Sequence, residues 1–391
     1  MKIAVVVHGR FHAFDFSREL LRRGHDVTLL TNYPKWAVRR WGVSGDRVRS
    51  FWPEGVLVRA ARVFGAARLL NPFFESRFGR WAAEQVRRET WDAALCWSGV
   101  GEETIRGLEG RPTLRICHRT SAHIRVQERL LMEERERTGA PVELPQMESI
   151  AREEREYALA DRILVPSSFV LGTFLQQGFP SEKLWIVLLG ADTRMFRPAQ
   201  GVLQERIERI LSGAPLRVLN VGTFCFEKGM NDLAQVIGAA DPSRFRFRFV
   251  GPISSEAAAL AQRLRGKSDF AGKCRQDLLP AHYAWADLFL LPSIQDGFQL
   301  VLGQASAAGL PILTTPHGAG RDLVSEGRTG WVVPIRSPGA LSDRLRWCDA
   351  HRPELAEMAR RIPGDYRPRD WADAAEDLEK IFLKFFERTS G

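Results

Sequence analysis

The sequence predicts an α/β protein made of two doubly wound, Rossmann-like domains, each a parallel sheet with helices on both faces. Three observations carry this. Short β-branched runs alternate with helical stretches along nearly the whole chain, the signature of strand–helix–strand units. The alternation starts afresh near residue 216, as a second sheet would. The length, 391 residues, exceeds what one ordinary core serves.

The elements follow in order. "KIAVVV" is a buried strand, Phe16, Leu20 and Leu21 mark a helix that Gly24 ends, and "VTLL" is the next strand. "WDAALCW" and "TLRIC" are further strands, the latter ending before His118. A charged helix in "PQMESIAREEREYALAD" leads to the strand "RILVP", and Ser167 or Ser168 caps the helix that Gly178 closes. "LWIVLLG" completes the first cycle. In the second, "LRVLNVG", "FRFRFVG", "AWADLFLLPS", "LPILTT" and "TGWVVP" are strands separated by helices, and the tail is helical from "SPGALSDRLRWC" onward. The boundary falls within "RPAQGVLQERIERILSGAP", giving a first domain over 1–198 and a second over 199–365.

Composition excludes several classes. Hydrophobic residues make up 45% and charged residues 26%, as in globular proteins. No apolar run is long enough to span a bilayer, and the five residues before His8 are too few for a signal peptide. Five scattered cysteines without a C-x-x-C pair read as free thiols in a reducing cytoplasm, not as disulfides or zinc ligands. The net charge is +9, and residues 35–88 hold twelve basic against four acidic side chains, interleaved with aromatics from Trp36 to Trp81. Two readings stay open: a solvated basic face over an aromatic core, or a surface for an anionic membrane or acceptor. Nucleic acid is set aside, because the basic positions share no single helical face.

Ligands of open parallel sheets bind beyond the C-terminal strand ends, so chemistry is sought there. After "RVLNVG", Gly222 permits close approach and Lys228 offers an ammonium before a helix, an arrangement suited to a diphosphate. "QDGFQLVLGQ" brings Asp296 to the mouth of an apolar helix and Gln304 just over two turns deeper. Asp296 either caps that helix or takes sugar hydroxyls, and Gln304 bonds either local backbone or a ligand. "TTPHGAG" is a third turn that could face phosphate. On the first half, His118 ends a strand facing the cleft, with His8 and His12 as further candidates. No metal-ligand spacing occurs, so neither a metal nor another cofactor is expected.

These strings resemble the retaining family 4 glycosyltransferases of the GT-B fold, two such domains facing a central cleft. The match is carried by "VGTFCFEKG", by "DGFQLVLGQ" and by "HGAGRDLVSEGRTGW" in the second half. In the first half "RRGHDVTLLT", "ALADRILVPSSFV" and "GADTRMFRP" carry it. The resemblance implies that Lys228 binds the donor diphosphate, with Gly9, Gly222 and Thr223 beside it. It implies that Asp296 lies along the donor sugar, that Gly297, Phe298 and Gln299 present backbone amides, and that Gln304 takes the ribose hydroxyls. Lys273 and Cys274 would meet the base, and His118 would border the transferred sugar. Catalytic roles then fall to His118, Asp296 and Lys228. The tail over 366–391 would cross back onto the first domain.

The implied function is transfer of a sugar from a nucleotide-diphosphate sugar to a glycan, lipid-linked or small-molecule acceptor, with retention and without metal. The setting would be cytoplasmic, with a peripheral place at the inner face of the membrane left open. Three positions depart from the family pattern: Thr223 replaces an arginine, Asp296 a glutamate, and the neutral Gln304 a second glutamate. They motivate an alternative, a catalytically impaired paralogue that binds a partner or glycan. A dehydrogenase is disfavoured, because no G-x-G-x-x-G follows the first strand.

Overall fold

The computed structural model describes residues 1–365, 367 and 369–389. The expected start of the tail at 366 and its last residues, 390 and 391, lie outside them.

The first sheet contains β1 (Lys2–Val7), β2 (Asp26–Thr31), β3 (Val48–Ser50), β4 (Ala93–Trp97), β5 (Leu114–His118), β6 (Arg162–Val165) and β7 (Leu184–Ile186). The second contains β8 (Leu216–Val221), β9 (Phe245–Val250), β10 (Ser268–Gly272), β11 (Leu288–Leu291), β12 (Ile312–Thr314) and β13 (Gly330–Val332). The spatial orders are β3-β2-β1-β4-β5-β6-β7 and β10-β9-β8-β11-β12-β13. Every named pairing is parallel. Both sheets therefore turn back at the central strand, the doubly wound arrangement. Central strands are apolar on both faces because helices cover both: Ile3 through Val7 are wholly buried, as are Leu288, Phe289 and Leu290.

Two edge strands, β3 and β10, escape a reading by pattern. "VRS" is too short to show a period, and "SDFAG" offers one large apolar residue, Phe270. The segment between β3 and β4 forms two long helices, Trp52–Val63 and Ala67–Val86, joined through Gly65 at φ +71°.

The two sheets meet along their C-terminal edges. Ser121, after β5, donates to Gln295 Oε1 at 2.9 Å, and Ser167, after β6, donates to the Gly297 carbonyl at 2.7 Å. Farther along, Phe169 stacks on His317 at 4.5 Å between ring centres. The helix Ile124–Thr138 reaches over the second domain, where Arg336 donates to Glu133, Glu134 and the Leu130 carbonyl, and Arg137 to Asp232.

The helix Trp371–Thr389 packs against the helix Ala13–Arg22 of the first domain. Glu379 accepts from both Arg23 and His25, and Phe382 is wholly buried. The chain just before this helix is fixed too, since Ala191 N–H donates to the Arg369 carbonyl at 2.9 Å.

Candidate active site

The site is built from neighbouring strand ends. β8 runs into a turn through Gly222, at φ +145°, and then into the short helical turn Phe226–Lys228. β11 lies beside β8 and runs through Pro292 to Asp296. Lys228 Nζ sits 2.6 Å from Asp296 Oδ2, each side chain about one-fifth exposed. Burial alone would push the Lys228 ammonium down, but Asp296 and Glu227 outweigh it and its affinity for the proton is raised. Gly229, at φ +75°, turns the chain where a Cβ would lie 1.9 Å from the Pro292 carbonyl oxygen. Only glycine lets these strand ends approach so closely.

Behind this pair runs a second polar line that motif reading did not single out. Ser121 donates to Gln295 Oε1, and Gln295 Nε2 donates to Glu227. The Glu227 carbonyl also accepts from Ile294 N–H at 2.9 Å. Burial raises the Glu227 carboxyl above its ordinary value. A first-domain hydroxyl is thus wired to the loop that carries Lys228.

Several expected positions are occupied differently. Gln304 belongs to the helix Leu300–Ala307, and its Oε1 accepts from the Tyr283 hydroxyl at 2.8 Å. The protein itself satisfies this amide oxygen, and Arg206 stiffens the surroundings. Wholly buried, Arg206 donates to the carbonyls of Tyr283, Ala286, Ala308 and Gly309, and burial pulls its guanidinium down to about 10. Gly297 does not open onto the cleft. It is buried under the first domain, where a Cβ would lie 1.7 Å from the Thr120 carbonyl oxygen, and Phe298 is buried beside it. The Gln299 side chain holds the third turn, donating to the His317 carbonyl at 3.0 Å and accepting from Ala319 N–H at 2.7 Å. Thr223 is exposed at the end of β8. Lys273 and Cys274 follow the edge strand β10, two strands away from β8. Lys273 is exposed there, and the Cys274 thiol points at the Arg275 carbonyl, 3.2 Å away.

On the first domain, Gly9 at φ +103° gives its N–H to Asn32 Oδ1 and its carbonyl to the Thr31 hydroxyl, so this backbone is committed internally. Phe11 takes φ +40°, a strained value for a bulky residue, and holds its ring 57% exposed. Next in the chain, His12 turns inward. His118 Nδ1 donates to the Leu164 carbonyl at 3.0 Å, which leaves Nε2 bare to accept from His12 Nε2–H at 2.7 Å. His118 is wholly buried, and Trp371 of the last helix stacks on His12 at 5.8 Å. Burial holds His118 down at about 4 and His12 well below its ordinary value, so this is a neutral imidazole pair. His118 in this closed arrangement borders His12, Trp97 and Phe16, not open space.

The structure therefore brings Lys228 and Asp296 together, leaves Gly222 at the end of β8, sets Gln304 one helix deeper, and encloses His118 in the facing domain. A cavity of about 440 Å³ opens beside the closure, between Arg129 and Ser168 of the first domain and His317 and Arg321 of the second. Neither Lys228 nor Gln304 lines it.

Comparison with known proteins covers both halves. The family model described as Glycosyltransferase Family 4 matches residues 10–194, and the one described as Glycosyl transferases group 1 matches residues 215–348. A putative colanic acid biosynthesis glycosyltransferase, WcaL of Salmonella typhimurium, is 28% identical over 197 residues, 47% of each chain. A GDP-mannose-dependent alpha-mannosyltransferase of Mycobacterium tuberculosis is 30% identical over 228 residues, 57% of this chain and 56% of that one. The matched stretches thus span about half the length of these curated relatives. Among solved structures, Anabaena HepE in complex with UDP and glucose superimposes with a TM-score of 0.71 over 98% of this chain and 100% of that one, at 14% identity. WaaG, a glycosyltransferase involved in lipopolysaccharide biosynthesis, gives 0.63 over 97% and 99%, at 17% identity. With both halves matched by their models and two doubly wound domains facing one cleft, the chain belongs to the family 4, group 1 glycosyltransferases and has the GT-B fold.

Proposed function

We propose that this protein transfers a glycosyl group from a nucleotide-diphosphate sugar held on the second domain to a glycan, lipid-linked or small-molecule acceptor held on the first. The observation that carries the reading is the Lys228–Asp296 pair, 2.6 Å apart at the ends of adjacent strands β8 and β11. An ammonium on such an edge is suited to the charge that develops on a departing diphosphate. The carboxylate beside it is suited to sugar hydroxyls. The HepE complex with UDP and glucose supports a nucleotide-sugar donor for this fold.

In the mechanism, the diphosphate displaces Asp296 from Lys228 and takes the ammonium, and Asp296 turns to the sugar. Closure through Ser121, Ser167 and Thr120 excludes water from the donor. Transfer proceeds with retention and without metal, the leaving diphosphate taking the acceptor proton on the same face. His118 acts through shape as a buried neutral wall, since both ring nitrogens are engaged by protein. A second reading, a binding paralogue without turnover, is favoured by one feature: the Gln304 amide oxygen is already satisfied by Tyr283.

Thermal shift against UDP-, GDP-, ADP- and TDP-sugars tests the choice. Saturable stabilisation by one donor, lost in Lys228→Ala, supports the transferase. A flat response to every donor supports the paralogue.

A further inference from the structure

The helices Trp52–Val63 and Ala67–Val86 form a hairpin whose inner seam, Val58, Ala61 and Phe74, is a small apolar cluster separate from the main cores. The outer face is unusual. On the first helix Glu54, Val58 and Ala61 point inward at helical spacing, while Trp52, Val56 and Val63 form an outward stripe that is also apolar. A surface helix ordinarily turns polar residues to solvent. At the tip, Val63 and Phe64 are each 82% exposed and Leu69 80%. Single exposed apolar side chains are ordinary, but an apolar tip of this kind marks an interaction surface.

The surrounding charge is of one sign. Among the described residues, Arg39, Arg40, Arg59 and Arg68 have no carboxylate in ion-pair range, whereas the nearby Arg47 and Arg49 are paired with Asp26 and Glu89. Arg40 lies over the Trp36 ring at 5.1 Å and Arg59 over Tyr33 at 5.2 Å. Trp36 and Trp52 are themselves 62% and 54% exposed. Apolar tip, flanking tryptophans and guanidinium groups without a carboxylate partner, Arg68 donating instead to the Leu144 carbonyl, are the parts an interfacial anchor needs.

We propose that this hairpin docks on an anionic lipid bilayer, with Val63, Phe64 and Leu69 entering the boundary between headgroups and acyl chains and the arginines gripping lipid phosphates. Charge complementarity selects this occupant. A second copy would press like-charged faces together, since residues 35–88 carry twelve basic against four acidic side chains. Nucleic acid would match the charge but leave Val63 and Leu69 of the tip without a partner. The hairpin also links the bilayer to the cleft. Its first helix starts against the C-terminal edge of the first sheet, where a Cβ on Gly55 would lie 2.2 Å from the Asn32 carbonyl oxygen. One helix of this length holds that edge about 18 Å from the tip. A lipid-linked acceptor follows from this only where the transferase reading holds; the docking itself does not need it.

The test is flotation with vesicles of phosphatidylcholine alone or of equimolar phosphatidylglycerol and phosphatidylcholine, without donor. The chain is expected to float with the anionic vesicles and to be released by salt. Binding should weaken roughly tenfold in V63S/F64S/L69S and by a similar factor in R59E/R68E. Absence of flotation, binding indifferent to the apolar changes, or a dimer seen by light scattering that the triple variant abolishes would each overturn the proposal. A measurement on the unaltered chain guards against misfolded variants: brominated anionic lipids should quench its tryptophan fluorescence, and no quenching would also overturn it.

Discussion

Lys228 Nζ and Asp296 Oδ2, 2.6 Å apart, lock the ends of β8 and β11 together with the two groups that the donor would have to separate. Removing the carboxylate charge frees the ammonium for an anion. Asp296→Asn is therefore expected to bind a nucleoside diphosphate roughly tenfold more tightly while transfer falls by about a hundredfold. Isothermal titration beside a turnover assay reads both. Weaker diphosphate binding in the variant would mean that Lys228 does not serve the anion.

The Tyr283–Gln304 hydrogen bond, 2.8 Å long, gives a second prediction. Tyr283→Phe should cost about 1 kcal/mol of stability and release the amide. Gln304→Glu should strengthen donor binding several-fold, because hydrogen bonds to a charged acceptor are roughly twice as strong as neutral ones. Denaturant unfolding and donor titration distinguish the two. No gain in donor affinity from glutamate would place residue 304 outside the nucleotide site.

Gly297 reports on closure. With Thr120 O 1.7 Å and Ser121 N 2.9 Å from any Cβ placed there, Gly297→Ala must part the domains or strain the loop. A cost of about 1–3 kcal/mol is expected, with a larger radius of gyration in solution scattering. A variant with unchanged scattering and stability would show that the contact is not formed in solution.

Two buried groups give opposite pH signatures. His118 titrates at about 4 against an ordinary 6.5, so its contribution is complete above pH 6.5 and is lost as pH falls toward 4. Glu54 is wholly buried with neither oxygen hydrogen-bonded among the described residues. Its neighbours are His8, at 3.7 Å, and Arg77. Burial raises its carboxyl to about 7, so stability falls as pH rises from about 4.5 through 7. Glu54→Gln should stabilise the protein by about 3 kcal/mol at pH 8 and leave it unchanged at pH 4. His118→Gln should make the acid limb shallower and leave the alkaline limb unchanged, His12 keeping its own share of the acid loss. Urea titrations across pH, with both limbs unaffected by the two changes, would assign the dependence elsewhere.

The legible parts were those with a repeating cause. Strands buried on both faces announce themselves as apolar runs, and the order of runs gave two cycles and the strand ends where Lys228 and Asp296 lie. What escaped has no local signature. Tyr283 and Gln304 meet across 21 residues of sequence, beside an Arg206 that ties the 283–286 backbone to the 308–309 backbone. Gln295 and Ser121 belong to different domains and find each other through closure. His118 was legible as a strand-end histidine but not as the partner of His12, which depends on the Phe11 backbone and on a tryptophan more than 350 residues away. The hairpin hid because apolar residues occupy both its faces, which blurs the helical period.

The last helix closes over the helix Ala13–Arg22, with Trp371 against His12 and Phe382 in the core. The first half of the molecule is therefore left with an open seam until the helix Trp371–Thr389 has been made. The seam closes once residues 371–389 are available to it, and the second half, lying earlier in the chain, has had the chance to fold by then. Assembly order thus runs against synthesis order, and a ribosome stalled before Trp371 would present an unsealed amino-terminal half to chaperones.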